Sequence, residues 1–367
     1  MKSEFIEQVN LTQELSDEEV KKGIKKLVRS YAKEEALSIA ESLRYEKQLF
    51  DCIRGYDILG ELLRDVTITE IMINDFHQIF VERNGRIEKM PFGFESKEKL
   101  YDVIWRIVAG VNRQVNERNP IVDARLTDGS RVNIVLPPAA ITGPIVTIRK
   151  FSKTHISLED MIEKGSLSKE LADRFVQFIH ERKTIFISGG TGAGKTTLLN
   201  ALSEYIPSSQ RVITIEDLAE LRLYNTPNLV QLEARNENTE GEGAITIRDL
   251  IKSALRMRPD RLIIGEVRGS EVIDLLQALN TGHVGSFSTG HANRAVDMLS
   301  RLETMFLMGM EMPLAAIRAQ IASAIDIIIH VTRTEKGTRI VEEVIEVEGY
   351  ENEKYQYNVL FKHQTIA

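Results

Sequence analysis

Apolar and polar positions follow three different rhythms along this chain. Behind Ser16, which has capping-box spacing with Glu19, residues Val20, Ile24, Leu27, Val28 and Tyr31 recur on one helical face and predict an N-terminal helix. From about Leu59 to Lys150 the period shortens toward two residues. EIMIND, QIFVERNGRIEKM and DARLTDGSRVNIVL read as strands of an antiparallel sheet, with Asn84-Gly85 and Asp128-Gly129 at tight turns. A helix is predicted between these hairpins, around YDVIWRIVAGVNRQV, and Pro137-Pro138 and Gly143-Pro144 punctuate the run into VTIRKF. Beyond that point the buried-strand runs TIFIS, RVITIE, RLIIGE and AIDIIIHV alternate with helical patterns, the signature of a parallel sheet covered by helices.

Length and charge narrow this picture. A chain of 367 residues, 43% of them hydrophobic, exceeds the size at which one core keeps growing, so two globular domains are expected. The single cysteine, Cys52, excludes an internal disulfide and a multi-cysteine zinc cage and reads as an inert small hydrophobe. A net charge of −7 argues against a protein that coats nucleic acid, although a local basic surface fits within an acidic total. No run of about 18 uncharged apolar residues occurs, and MKSEFIEQVNLTQEL lacks the pattern of a signal peptide, so a soluble cytoplasmic chain is expected. The polar stretch NENTEGEGA, residues 236–244, reads as a solvated connection. The methionines of TMFLMGMEMP (Met305, Met308, Met310, Met312) suit either core gap-filling or an adaptable partner surface.

Chemistry enters after TIFIS. Gly189, Gly190, Thr191, Gly192, Ala193, Gly194, Lys195 and Thr196 fit G-x-x-x-x-G-K-[ST] without a mismatch, followed by Thr197 and an apolar helical run. A chance match in such a chain is on the order of one in a hundred, and the flanking strand and helix lower it further. The glycines let backbone N–H groups point inward around phosphate, and the helix start adds its positive dipole end. Lys195 is expected to reach the β and γ phosphates of ATP, and the Thr196 hydroxyl to ligate Mg²⁺.

Two apolar strands downstream end in carboxylates: RVITIE in Glu216-Asp217 and RLIIGE in Glu266, with Arg261 and Arg268 on either side. Carboxyl ends of strands are where open α/β sheets place ligands, so Glu266 is expected to hold the Mg²⁺ shell or orient water, with Glu216 beside it. In TGHVGSFSTGHANRA two histidines stand eight positions apart. GSFST carries His291 to its carboxyl end, facing the same crevice, where an imidazole can contact the γ-phosphate or its water; His283, before the strand, reads as structural. Metal binding is the competing reading for the pair, and no HExxH or cysteine cluster accompanies it.

The order GGTGAGKTT, TIEDLAEL, PDRLIIGEVRG, TGHVGSFSTGHAN resembles the Walker A, Asp box, Walker B and His box of the NTPase family that drives type II and type IV secretion and pilus assembly. LLRDVTITEIMIND, DARLTDGSRVNIVLPP, VTIRKF and SRLETMFLMGMEMPLAAIRAQIASAIDIIIHVTR extend the likeness across residues 55–350, with the CpaF-like ATPases of tight-adherence (Flp) pilus systems as the nearest branch. The resemblance implies an α/β protein: a helical segment at 1–54, an α+β N-domain at 55–150, and a RecA-like P-loop NTPase domain with C-terminal strands at 151–367. It implies a homo-hexamer, with Arg131 and Arg149 of the N-domain closing over the γ-phosphate and Arg125 in reserve. It also implies cytoplasmic ATP hydrolysis at the inner face of the membrane, with membrane association through pilus or secretion platform proteins and no nucleic acid. Gly290 departs from the pattern, which has an apolar residue there, and a looser His291 is the expectation. Two rival classes share the phosphate loop: a DNA-translocating or recombination motor, and a small-molecule kinase, for which no lid or acceptor base is visible.

Overall fold

The computed structural model describes residues 16–83, 85–110, 115–151, 155–235, 237, 243–334 and 337–363. It divides into two compact units, Met1–Lys153 and Thr154–Ala367.

In the first unit, α1 (Asp17–Glu34) starts at Ser16 with both halves of the capping box formed, and α2 (Ile39–Ile53) repeats the device at Ser38 and Glu41. Val20, Ile24, Leu27 and Val28 of α1 pack against Leu49, Phe50 and Ile53 of α2, so the expected single helix has a partner. A short α3 (Leu59–Arg64) leads into six strands: β1 (Ile68–Asp75), β2 (Gln78–Arg83), β3 (Arg86–Lys89), β4 (Ile121–Arg125), β5 (Arg131–Val135) and β6 (Ile145–Arg149). They form one antiparallel sheet in the order β3-β2-β1-β6-β5-β4. Alternation decides which face is inside: Ile71, Ile73, Val132, Ile134, Val146 and Ile148 join the core with Leu100, Val103, Ile104 and Ile107 of α4 (Lys97–Gly110). Gly129 turns the β4–β5 hairpin with φ 92°, where a side chain would be strained. Of the expected features here, Asn84 and the tail of the α4 pattern (111–114) lie outside the described residues.

The second unit opens with α5 (Leu158–Glu163) and α6 (Lys169–His180), then builds a sheet on β7 (Ile185–Gly189), every residue of which is buried. There follow α7 (Lys195–Ser203), β8 (Val212–Glu216), β9 (Leu229–Glu233), α8 (Ile247–Ala254), β10 (Arg261–Ile264), α9 (Val272–Asn280), β11 (Phe287–Gly290), α10 (Ala295–Leu307), α11 (Leu314–Ala324), β12 (Ile327–Arg333), β13 (Arg339–Glu351) and β14 (Lys354–Lys362). The order is β14-β13-β12-β7-β11-β10-β8-β9, parallel from β12 to β9, with β13 and β14 antiparallel at one edge. Helices cover both faces, giving two separate apolar clusters, one with α8 to α11 and one with α5 to α7. Strands so covered must be apolar on both sides, hence the unbroken runs in the sequence. Most of the 236–244 connection lies outside the described residues.

Candidate active site

Because β7, β8, β10 and β11 are parallel, their carboxyl ends share one sheet edge. Glycine shapes the loop after β7. A Cβ on Gly189 would lie 2.3 Å from the Val331 carbonyl oxygen, and Gly192 and Gly194 have φ of 71° and 100°. Gly194 is the N-cap of α7 and has no side chain to satisfy the first-turn N–H groups, which leaves the helix start with the chemistry of an anion site. Lys195 is buried, and its ammonium donates to the carbonyls of Gly189 and Gly190, both at 3.1 Å. It also lies 3.4 and 3.5 Å from the two ring nitrogens of His291.

The two strand-end carboxylates meet different surroundings. Glu216 is 4% exposed; Oε2 accepts the N–H groups of Glu220 and Leu221 at 2.8 and 3.0 Å, and Oε1 finds no hydrogen-bond partner among the described residues. Burial outweighs those two bonds and pushes the carboxyl up to about 7. Burial acts on Glu266 too, but the Arg268 hydrogen bond and the charges of Arg268, His291 and Lys195 outweigh it and hold this carboxyl below its ordinary value. Arg268 donates to Glu266 Oε2 at 2.9 Å and stands 3.9 Å from Asp217, bridging the two motifs. His291 Nε2 approaches Glu266 Oε1 to 2.8 Å without hydrogen-bond alignment. Burial and the nearby Lys195 charge lower the His291 pKa, so the ring is neutral at neutral pH.

The structure corrects three readings. Arg261 does not flank the site: it starts β10 at the opposite sheet edge, fully buried, donating to Gln210 Oε1, the Gly285 carbonyl and the Ile179 carbonyl at 2.6, 2.8 and 2.7 Å. Gly290 leaves no slack at the end of β11: a Cβ there would come within 2.8 Å of Met298 Cε and 3.0 Å of Phe186, so a larger residue would need the Met298 side chain to shift. The methionine stretch is not one environment: Met305 is core, Met312 packs against it, and Met308 and Met310 are exposed. His283 lies before β11, with Nδ1 3.0 Å from the Ala278 carbonyl that ends α9.

In the first unit, strand register sets Arg125 opposite Arg131 and Arg131 opposite Arg149, three arginines in one row. Like charges directly opposite oppose sheet formation, so the row itself adds nothing to the pairing of these strands. One group of site residues has no motif to reveal it. Arg339, at the start of β13, donates from Nε to the Gly192 carbonyl at 2.9 Å, and a cavity of about 360 Å³ beside Ala193, Gly194 and Thr197 is walled by Ile156, Met161, Arg339 and Ile340. Arg339 and Ile340 reach the phosphate loop through the pairing of β12 with β7 and of β13 with β12, and Ile156 and Met161 come from the segment before β7.

A RecA-like sheet with a glycine-built phosphate loop and strand-end carboxylates defines a P-loop ATP hydrolase. The chain belongs to the type II/IV secretion system protein family, whose sequence model matches residues 54–356. It is 35% identical to the conjugal transfer protein TrbB of Rhizobium radiobacter, over 82% of this chain and 90% of that protein. It is 34% identical to the type IV secretion system protein VirB11 of Brucella suis, over 73% of this chain and 82% of that one. The fold matches the X-ray structure of the Legionella pneumophila ATPase DotB with a TM-score of 0.58 at 24% identity, covering 78% of this chain and 79% of DotB.

Proposed function

We propose that this chain is the ATP-hydrolysing motor of a CpaF-like tight-adherence pilus or secretion machine, working as a homo-hexamer on a membrane platform from the cytoplasmic side. The observation that carries the catalytic reading is the gathering of Lys195, Glu216, Glu266 and His291 at one sheet edge, with one oxygen of each carboxylate lacking a hydrogen-bond partner among the described residues. The loop from Gly189 to Thr197 cradles the phosphates, Lys195 turns from its loop carbonyls to the β and γ oxygens, and the cavity walled by Ile156, Met161 and Ile340 receives the nucleoside. Thr196 and the open oxygen of Glu266 fit a Mg²⁺ ion, which supplies charge neutralisation at the phosphates. Glu216, held near neutrality, takes the proton of the attacking water, and neutral His291 contacts the γ-phosphate and reports its loss. Arg131 and Arg149, with Arg125 beside them, supply guanidinium forks to the transferring phosphoryl and couple hydrolysis to domain closure.

Steady-state phosphate release and nucleotide binding test this reading together. Lys195→Ala should lose turnover at least about 100-fold while circular dichroism stays unchanged, and turnover equal to the wild type would remove the site assignment. Stimulation of hydrolysis by duplex or single-stranded DNA would favour the recombination-motor alternative instead.

A further inference from the structure

We propose that Arg339 is a positioning residue of the phosphate loop: its guanidinium, reaching in from another hairpin, fixes the peptide plane that aims a loop N–H inward. The proposal rests on the nucleotide reading of that loop. Glycine gives the loop its shape but not its stiffness, because a glycine loses more backbone freedom on ordering than any other residue, and four stand between positions 189 and 194. Inside the loop, Lys195 holds the Gly189 and Gly190 carbonyls at 3.1 Å. Those bonds break when the ammonium turns to phosphate oxygens, and the loop loses this support as it binds. Arg339 supplies a brace for which phosphate does not compete.

The brace acts on the Gly192–Ala193 peptide. Arg339 Nε donates to the Gly192 carbonyl at 2.9 Å. A trans peptide points its C=O and N–H in opposite directions, so a carbonyl held toward Arg339 turns the Ala193 N–H across the loop, where it stands 3.4 Å from the Gly190 carbonyl. An N–H turned inward in this way is available to a phosphate oxygen. The same side chain covers Gly194, whose φ is 100°: Arg339 Cδ lies 3.1 Å from the place a Cβ would take. A brace must be stiffer than what it holds. Arg339 begins β13 opposite Arg333 of β12, and β12 sets Val331 opposite Gly189 of β7. The Thr334 N–H donates to the Thr338 carbonyl and the Gly337 N–H to the Thr334 carbonyl, each at 2.8 Å, and the Val341 N–H donates to the Ser166 carbonyl at 2.9 Å. The arginine thus stands on well-tied backbone while its side chain is exposed, so substitution acts on the loop rather than on the core.

Two variants of the full chain test the proposal. Arg339→Met keeps an apolar stem over Gly194 and loses the donor, whereas Arg339→Lys keeps both a stem and a donor. In Arg339→Met the KM for ATP and the Kd for ADP should each rise about tenfold, as for the loss of one charge-assisted hydrogen bond, while kcat at saturating ATP falls by less than about threefold. Arg339→Lys should bring both constants back to within about threefold of the wild type. Both variants should melt with the wild type. Without nucleotide, amide hydrogen exchange in a peptide spanning residues 189–197 should be about tenfold faster in Arg339→Met and unchanged in the neighbouring strands, and saturating ADP should slow it again. Wild-type exchange of that peptide, or a wild-type KM, in Arg339→Met would overturn the proposal. A loss of kcat at unchanged KM would overturn it by placing the guanidinium on the reacting phosphate, and faster exchange throughout β12 and β13 with a lower melting temperature would make Arg339 a fastener of the hairpin instead. A wild type that binds neither ATP nor ADP would refute the nucleotide reading, and exchange of the loop, measured without nucleotide, still decides the brace.

Discussion

The two edges of the parallel sheet bury similar polar side chains and treat them oppositely. At the amino edge, Arg261 has three acceptors within 2.8 Å, and Ser286 donates to the His283 carbonyl and accepts from Leu262. At the carboxyl edge, Glu216 and Glu266 each keep an oxygen without a hydrogen-bond partner among the described residues, and Lys195 crowds His291. A buried polar group that is fully satisfied contributes order, whereas one left open carries a cost that folding alone does not explain. Burial by itself does not separate a bolt from a reactive group. Open hydrogen bonding marks the site only together with a place at the carboxyl edge, since Arg182 Nε, Thr214 Oγ1 and Ser288 Oγ also lack a partner among the described residues.

The contrast breaks most visibly at Arg261. Arg261→Met removes the donors to three buried acceptors and should cost about 3–4 kcal/mol, seen as a melting temperature lower by roughly 10 °C, with nucleotide affinity of the remaining folded protein unchanged. A variant that melts like the wild type but fails to hydrolyse ATP would return Arg261 to the site. Glu266→Gln is the converse case. It should lower turnover by about 100- to 1000-fold and leave both melting temperature and nucleotide affinity near normal; collapse of affinity with turnover intact at saturation would contradict the assignment.

Glu216 combines both behaviours, since its burial shows in stability as well as in chemistry. The folded chain keeps its proton up to about pH 7, whereas the unfolded chain releases it near the ordinary value of 4.5. Between these values the folded state holds the extra proton, so stability from this group falls as pH rises through the window, by roughly 3 kcal/mol in all. Denaturant titrations at several pH values should show that slope in the wild type and its loss in Glu216→Gln. The smallest effects separate the histidines. His291→Ala should lower turnover about tenfold with little change in melting, and His283→Ala should cost about 1 kcal/mol of stability with turnover preserved; the reverse pattern would invert their placement.

The local signals were the legible ones. Ser16 and Glu19 announce a helix start because a capping box closes within one turn, and the glycines from 189 to 194 announce a loop because their conformations exclude side chains. Glu216, Glu266 and His291 could be brought to one edge from the sequence because parallel strands leave no other end for residues that follow an apolar run. Arg261 and Arg268, seven positions apart, could not be told apart by motif, since one begins a strand and the other follows it, and only the sheet makes those ends distant.

The sequence by itself determined the start of α1, the hairpins of the first sheet, the buried strands β7, β8, β10, β11 and β12, the phosphate loop and the edge at which the carboxylates gather. Each depends on backbone preference or periodicity over a few residues, whereas α2 and β9 gave no such signal. Only the tertiary structure decided that Gly290 packs closely against Met298 and Phe186, that Arg339 grips the loop carbonyl of Gly192, and that three arginines from three strands stand in one row. Those outcomes depend on strand register and on packing between segments as much as about 150 residues apart, distances at which no local preference of the chain acts.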